Sequence, residues 1–192
     1  MVNDNVLSQL EEEFQKIIFE ILQLDQNGVP LQHVKDTPKR IAKMLYNELL
    51  SGCYTDPPKL TVFENTNDNH SCVTVKNMEV KSMCSHHFMP FFGICNISYI
   101  PDQKVAGLSK FSRIVTYFSA RPQIQEELTK QIVDYLNDKL EPLAIGARLD
   151  CRHTCMYHRG AKSNGTMQTE YIIVKDKTDT KLKEIIRQEI YV

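Results

Sequence analysis

Two predicted strands flank a cysteine–histidine cluster in residues 72–100, whose sequence is CVTVKNMEVKSMCSHHFMPFFGICNISYI. Valines alternate with polar residues in the first part of this stretch, and apolar residues dominate residues 91–100, as is typical of strands. Asn77 and Met78 interrupt the alternation, which predicts a β-bulge in the first strand. We therefore expect an antiparallel strand pair, with residues 84–90, which contain the cluster, at its turn.

The rest of the chain alternates between helical and strand patterns. Apolar residues at helical spacing predict helices at residues 5–24, 37–52, 108–120, 123–140 and 181–190, and further strands are predicted at 144–154 and 166–174. The order αα–ββ–αα–ββ–α predicts an α+β fold in which a helix pair separates two strand pairs. The turn-forming run Asp56-Pro57-Pro58 predicts a boundary between an N-terminal helical region, residues 1–56, and a second domain, residues 57–192.

The composition is that of an ordinary globular chain. It has 192 residues, 42% of them hydrophobic and 24% charged, and a net charge of −1. Bulk charge therefore gives no indication of a nucleic-acid partner or of an acidic membrane surface. No apolar run is long enough to span a bilayer, and the N-terminus lacks the basic start and apolar block of a secretory signal. We expect a cytoplasmic protein, whose six cysteines serve metal binding or burial rather than disulfides.

Cys84, His87 and Cys155 are predicted to be three ligands of one zinc ion (Zn²⁺). Thiolates and imidazoles are good zinc ligands, and three protein ligands leave one position for water, as in catalytic sites. Cys151 as a fourth ligand would instead give a closed structural site. On one predicted strand, however, Cys151 and Cys155 lie four residues apart, too far for easy joint ligation. The four other cysteines are predicted to be small buried residues: Cys53, Cys72, Cys95 and Cys151.

Two histidines neighbour these predicted ligands. One interpretation is that His86 and His153 orient the ligands or fill space. Because imidazole titrates near neutral pH, both are also candidates for proton transfer. His33, His70 and His158 lack such neighbours and are predicted to be ordinary surface or loop residues.

A further group of residues points to an anionic ligand. Ser109 and Lys110 open a predicted helix, whose free N–H groups favour phosphate, and Arg113 shares a helix face with Lys110. Arg159 directly follows the second cysteine–histidine cluster. Scattered surface charge would explain any one of these residues, and their occurrence beside the metal motifs favours a phosphate site.

Amides and carboxylates are concentrated in the run Gln123-Ile124-Gln125-Glu126-Glu127, where a helix is predicted to start. A carboxylate at a helix start is favourable through the helix dipole alone. It can also accept both adjacent donors of a guanine base, N1–H and the exocyclic amine, in a fork. The run is therefore open to either interpretation.

Five motifs of the chain together resemble the GTP cyclohydrolase I family. They are DTPKRIAK at residues 36–43, CSHH at 84–87, GLSKFSRIV at 107–115, RPQIQEELT at 121–129 and HTCMYHRG at 153–160. The resemblance implies the tunnelling fold, in which ββαα units form an antiparallel barrel shared among subunits of a homodecamer made of two pentamers. It also implies zinc-dependent hydrolysis of GTP to 7,8-dihydroneopterin triphosphate and formate, the first step toward folate, biopterin or 7-deazaguanine nucleosides.

The resemblance implies a role for each matching residue. Cys84, His87 and Cys155 match the zinc ligands, and His86 and His153 match the proton-transfer histidines. The remaining matches are Ser109 near the ribose, Gln125 and Glu126 at the guanine, and Lys110, Arg113, Arg159 and Arg40 at the triphosphate. Ser85 stands where the family's common pattern has glutamate. Activity is expected to survive this change, because Ser85 is neither a matched ligand nor a matched base.

Two alternatives belong to other functional classes. A 7-cyano-7-deazaguanine reductase-like enzyme of the same fold would need a nucleophilic cysteine and an NADPH site, and would not need three zinc ligands. A non-catalytic homologue stabilised by structural zinc is favoured only by Ser85. Formation of a pterin from GTP separates both alternatives from the cyclohydrolase.

Overall fold

The computed structural model describes residues 4–191. The expectation that the chain lacks a secretory signal rests partly on Met1–Asn3, which lie outside the described residues. The chain divides into two compact units, Met1–Tyr54 and Thr55–Val192, and the domain assignment made from the sequence stays a prediction. None of the helices in residues 4–191 combines the length and the apolar character needed to cross a membrane.

The N-terminal unit is built from short helices. Helix α1 (Asp4–Gln15) continues into a π-helical turn, Lys16–Ile21, and is followed by α2 (Leu31–Val34). Helix α3 (Thr37–Met44) has Pro38 in its first turn, where a missing N–H costs nothing, and passes into a second π-helical turn, Leu45–Leu49. The two uninterrupted helices predicted at 5–24 and 37–52 are therefore wrong in detail. Neither π-helical turn contains a glycine or proline that would mark it in the sequence.

A five-stranded sheet with the order β5-β2-β3-β6-β7 forms the framework of the second unit. Its strands are β2 (Val73–Cys84), β3 (Pro90–Ile100), β5 (Pro122–Gln123), β6 (Ala144–His153) and β7 (Met167–Val174). All neighbours pair antiparallel except β5, which is parallel to β2. The antiparallel pair expected around the cysteine–histidine cluster is confirmed. A small separate pair of β1 (Val62–Glu64) and β4 (Lys104–Ala106) was not predicted.

The bulge expected in the first long strand is present. The register between β2 and β3 shifts between Val75 and Met78, and Asn77 adopts a φ of 57°. The backbone N–H of Asn77 donates to the side-chain oxygen of Asn96, at 2.9 Å, instead of to a strand partner. The Asn96 amide donates in turn to the carbonyl of Ile190, at 3.0 Å, which joins the bulge to the last helix.

Helices cover both faces of the sheet. Helices α4 (Ser109–Ser119) and α5 (Gln125–Leu140) bury their apolar stripes against one face, and the core there is large. Its fully buried members include Phe91, Ile97, Tyr99, Phe111, Ile114, Leu128, Ile132, Leu136 and Leu149. Alternate residues of β3 face α7 (Thr180–Tyr191), which is the side that Asn96 contacts. The α+β class predicted from the sequence is confirmed.

Two predicted element boundaries are wrong at the place where they matter for function. The helix expected to start at Gln123 starts at Gln125, because Gln123 belongs to β5. The strand expected to run through Thr154 ends at His153 and is followed by a short helix, α6 (Thr154–Tyr157). Cys155 therefore lies on a helix, and the spacing argument that placed it on a strand with Cys151 is wrong.

Candidate metal centre and active site

The turn between β2 and β3 places the first cysteine–histidine cluster. The backbone N–H of Cys84 donates to the Met89 carbonyl, at 2.8 Å, and the N–H of Phe88 donates back to the Cys84 carbonyl, at 2.9 Å. The N–H of Ser85 donates to the Gln123 carbonyl, at 3.0 Å, which fixes the turn to the strand that precedes α5. The turn, the start of α5 and α6 thus meet at one end of the sheet.

Cys84, His87 and Cys155 converge at this end. Their ligand atoms all lie within 4.8 Å of one another, and Cys84 Sγ is 3.9 Å from His87 Nδ1. A tetrahedral zinc ion with ordinary Zn–S and Zn–N bonds holds its ligand atoms roughly 3.5–3.8 Å apart. The three side chains therefore fit a metal ion after small rotations. In the part of the chain that the structure describes, no second group of histidine, cysteine or carboxylate side chains meets this criterion.

The two thiols of this group lie against each other. Burial raises the pKa of the Cys155 thiol, and its hydrogen bond to Cys84 raises that pKa further. The Cys155 thiol therefore resists ionisation on its own. A divalent cation reverses this preference, because coordinated thiols lose their protons.

The other cysteines differ from the uniform burial predicted for them. Cys95 and Cys151 are buried, as predicted, and burial raises the pKa of Cys151 to about 12. Cys53, however, is exposed, and Cys72 is half-buried with its Sγ 3.0 Å from the Ser98 hydroxyl. Cys151 does not belong to the group of converging ligand atoms.

A cavity of about 280 Å³ opens beside the three converging side chains. It is lined by Cys84, His86, His87, Gln123, Ile124, Gln125, Glu126, His153, Cys155, Met156 and Met167. Both histidines predicted to transfer protons are therefore next to the candidate metal centre, together with the carboxylate of Glu126. The apolar members of the lining carried no signal in the sequence, because isolated methionines and isoleucines most often serve the core.

His153 is held on two sides. Its Nε2 lies 2.9 Å from the side-chain oxygen of Gln125, and its ring stacks on Phe91 with centroids 4.5 Å apart and planes 8° from parallel. Burial lowers the pKa of His153, and the nearby Glu126 carboxylate opposes this shift. His86 is exposed, and its Nδ1 lies 4.0 Å from Cys84 Sγ.

Gln125 differs from its predicted partner Glu126. The Glu126 side chain is exposed and lines the cavity, whereas Gln125 is only 1% exposed. The Gln125 amide donates to the carbonyl of Met167, at 2.9 Å, and to that of Leu149, at 3.3 Å. Its side chain is therefore committed to contacts within the protein.

The predicted phosphate-binding residues do not line this cavity. Ser109 and Lys110 lie at the start of α4, where Ser109 lines a different cavity with the bulged part of β2. Arg113 lines another cavity, with Tyr117. Arg159 is exposed in the loop after α6. Arg40 lies on α3, in the N-terminal unit, with its guanidinium 3.6 Å from Asp36.

Comparison with known proteins gives consistent matches over most of the chain. The model of the family described as GTP cyclohydrolase I matches residues 11–191. GTP cyclohydrolase 1 of Streptococcus suis (strain 05ZYH33) is 36% identical over 182 residues, which cover 94% of this chain and 95% of that protein. GTP cyclohydrolase 1 of Streptococcus agalactiae serotype Ia is 40% identical over 157 residues, which cover 81% of this chain and 83% of that protein.

A comparison of structures finds a similar solved protein, the archaeosine synthase QueF-Like in its apo form. It is 17% identical, with a TM-score of 0.42, and the match covers 52% of this chain and 92% of that one. The family match rests on the sequence, and the order of paired strands and paired helices agrees with the tunnelling fold. The family model spans residues 11–191, and the match to the Streptococcus suis protein covers 95% of that protein. This chain therefore belongs to the GTP cyclohydrolase I family.

Proposed function

We propose that this protein is a GTP cyclohydrolase I enzyme, which opens the imidazole ring of GTP, releases formate and forms 7,8-dihydroneopterin triphosphate. The observation that carries the proposal is the convergence of Cys84, His87 and Cys155 beside a cavity that also contains Glu126 and His153. The similarity to proteins named GTP cyclohydrolase 1 supplies the substrate and the reaction.

Zinc is the metal that this set of ligands suits best. Two thiolates and one imidazole are soft and borderline ligands, which disfavour magnesium and calcium. Bound there, zinc would supply a Lewis acid that makes water a nucleophile near neutral pH. Three protein ligands would leave a coordination position open beside the cavity, as in hydrolytic zinc sites.

The remaining residues bind the substrate and move protons. Glu126 accepts the N1–H and the exocyclic amine of guanine, which turns C8 and N7 toward the converging ligands. His153 and His86 exchange protons with the purine nitrogens during ring opening and release of formate. The triphosphate is held by the cations matched in the sequence: Lys110, Arg113, Arg159 and Arg40. Ser109 acts at the ribose during the later rearrangement.

The lining of the cavity supports a site completed by a second subunit. None of the four cations matched to the triphosphate is among its lining residues. One chain would hold the base and leave the triphosphate to cations from elsewhere. This arrangement agrees with the proposed homodecamer of two pentamers, in which neighbouring subunits share each site. A cytoplasmic location, without nucleic-acid or membrane partners, completes the proposal.

Purified protein incubated with GTP and zinc tests the proposal. We expect a pterin that becomes fluorescent on oxidation, and one formate for each GTP consumed. Cys155→Ala should lose both zinc and product, whereas Cys151→Ala, a change of another cysteine on the adjoining strand, should retain both. Full zinc occupancy without any product would refute the cyclohydrolase and favour a non-catalytic, zinc-stabilised protein.

A further inference from the structure

The amide of Gln125 has a fixed orientation. Its Nε2 lies 2.9 Å from the Met167 carbonyl and 3.3 Å from the Leu149 carbonyl. A carbonyl oxygen only accepts hydrogen bonds, so a flipped amide would place an oxygen against two oxygens in a buried position. The nitrogen of the amide therefore faces β6 and β7, and the oxygen faces His153.

Two threonines support the same orientation. The Thr129 hydroxyl donates to the Gln125 backbone carbonyl, at 2.8 Å, so its single proton is used there. The Thr169 hydroxyl, 2.6 Å from that of Thr129, must then be the donor to Thr129. Thr169 Oγ1 is left as an acceptor for Gln125 Nε2, at 3.1 Å. The two protons of Gln125 Nε2 are shared among three acceptors, the carbonyls of Met167 and Leu149 and the Thr169 hydroxyl, and all three acceptors require the nitrogen on this side of the amide.

The orientation of the amide determines the tautomer of His153. An amide oxygen only accepts, so His153 Nε2, at 2.9 Å from it, must carry a proton and donate. Stacking on the fully buried ring of Phe91 prevents the imidazole from turning away. In the neutral imidazole, a proton on Nε2 leaves the lone pair on Nδ1, which has no hydrogen-bond partner among residues 4–191.

We propose that Gln125 is a positioning residue, which holds His153 with a proton on Nε2 and leaves Nδ1 as the nitrogen that exchanges protons with the substrate. The amide nitrogen of Gln125 is then unavailable to the guanine base, whose two adjacent donors are accepted by Glu126. The catalytic meaning of this inference rests on the function proposed above. The tautomer itself does not, and it can be measured without turnover.

Nitrogen-15 magic-angle-spinning NMR of histidine-labelled, zinc-loaded protein tests the tautomer directly. The His153 signal is identified by its loss in His153→Gln, and spectra are recorded at mildly alkaline pH, where neutral imidazole is observed. We expect His153 of the wild-type protein to be protonated on Nε2 and unprotonated on Nδ1. In Gln125→Met, we expect His153 to be a mixture of both tautomers. A wild-type His153 protonated on Nδ1 overturns the inference, and so does a Gln125→Met spectrum identical to that of the wild type.

Kinetics separate positioning from base recognition. Gln125→Met keeps the length of the side chain but cannot accept from His153, so we expect kcat to fall about 10- to 100-fold, as for other supports of catalytic ligands, with KM for GTP nearly unchanged. A large rise in KM with unchanged kcat would assign Gln125 to the base and overturn the inference.

Gln131→Met is the matched control. Gln131 lies on the same helix and accepts a hydrogen bond from Gln123, at 3.0 Å, without contacting His153. It should change neither the His153 spectrum nor kcat, even if it lowers stability as much as Gln125→Met. An inactive wild-type protein with the expected spectrum would refute the proposed function alone, and an active protein with the other tautomer would refute this inference alone.

Discussion

Two adjacent carboxylates in the first turn of α5 lie in different surroundings. Glu126 lines the cavity beside the candidate metal centre, and Glu127 does not. Both gain equally from the helix dipole, so a capping role predicts equal effects of their removal. A role in recognising guanine predicts that the effect is confined to Glu126.

We therefore expect Glu126→Gln to raise the KM for GTP about 10- to 100-fold, the loss of a hydrogen bond to a charged group being worth about 1.5–3 kcal/mol. Steady-state kinetics with GTP and with inosine triphosphate, which lacks the exocyclic amine, measures this. The preference of the wild-type enzyme for GTP should shrink in Glu126→Gln and persist in Glu127→Gln. Equal effects of the two changes would leave only the capping role.

A second residue-scale prediction concerns His70, which is exposed in the loop before β2, as its sequence context predicts. Its Nδ1 lies 2.8 Å from the Pro101 carbonyl and its Nε2 3.0 Å from an Asp68 carboxylate oxygen. The hydrogen bond to Pro101, followed by the charge of Asp68, raises the pKa of His70 above its ordinary 6.5. A raised pKa in the folded state stabilises the fold while His70 is protonated.

This contribution is therefore complete below pH 6.5 and is lost as the pH rises through the raised pKa. We expect His70→Gln to lower the free energy of unfolding more in mildly acidic than in mildly alkaline solution. Denaturant titrations at the two pH values measure the difference, with His33→Gln as the control for a histidine in the other unit. A difference between His70→Gln and wild type that is independent of pH would contradict the prediction.

The role of a single residue could be predicted when its partners lie close to it in the sequence, and could not when they lie far away. Cys84 and His87 are three residues apart, and their type and spacing alone indicate a metal site. Gln125 owes its burial and its fixed amide to carbonyls of β6 and β7, which no local pattern indicates. The sequence could therefore place Gln125 at the site without showing that its side chain faces His153.

At the scale of the elements, strands β3 and β6 approach each other closely at Gly93. A Cβ built on Gly93 would lie 1.9 Å from the Asp150 carbonyl oxygen and 2.7 Å from Cys151 Cα, both backbone atoms of β6. On Gly146 the nearest atoms would instead be side-chain atoms, Cγ2 of Ile186 at 2.7 Å and Cγ1 of Ile172 at 2.8 Å. Side chains can rotate away, whereas two paired backbones cannot.

We therefore expect Gly93→Ala to lower the free energy of unfolding by about 3 kcal/mol or more, and Gly146→Ala by about 1–3 kcal/mol, the usual cost of overpacking. Denaturant unfolding followed by circular dichroism provides both values. Gly93→Ala should also weaken zinc binding, because the β3–β6 pairing positions α6 and its Cys155. Equal stabilities of the two variants would mean that β3 and β6 can separate at little cost.

Helices and strands could be predicted where apolar residues recur at a regular spacing, or where a residue interrupts that spacing. The bulge at Asn77 follows from two residues that interrupt an alternation of valines. Helix α6, in contrast, spans only Thr154–Tyr157, which is too short for a helical period to show. Its absence from the prediction produced the wrong argument about Cys151 and Cys155, because a helix turns Cys155 out of line with the strand.

At the scale of the whole molecule, the matched functional residues divide into two groups. One group lines the cavity of a single chain: Cys84, His86, His87, Gln125, Glu126, His153 and Cys155. The other group, on α3, on α4 and after α6, is absent from the lining of that cavity, and no local pattern in the sequence separates the two groups. The spacing of apolar residues indicates the type of an element and which of its faces is buried. A site shared between copies of the chain depends instead on how the copies assemble.

Mixing two inactive variants tests whether such sharing occurs. Cys155→Ala removes a proposed metal ligand and Lys110→Ala removes a proposed triphosphate contact, so each protein alone should lose activity. If a neighbouring subunit supplies Lys110, dissociation and random reassembly of an equal mixture should recover about one quarter of the wild-type rate, because one site in four joins an intact metal centre to an intact Lys110.

The control mixture combines Cys155→Ala with His153→Ala. Cys155 and His153 line the same cavity of one chain, so no reassembled pair can restore a complete site, and the mixture should stay inactive. Exchange of subunits is verified independently with a mass-tagged wild-type chain. Recovery in the first mixture and none in the second would place Lys110 on the neighbouring subunit. No recovery in either, with exchange verified, would mean that each chain binds the triphosphate with its own cations or that Lys110 does not contact it.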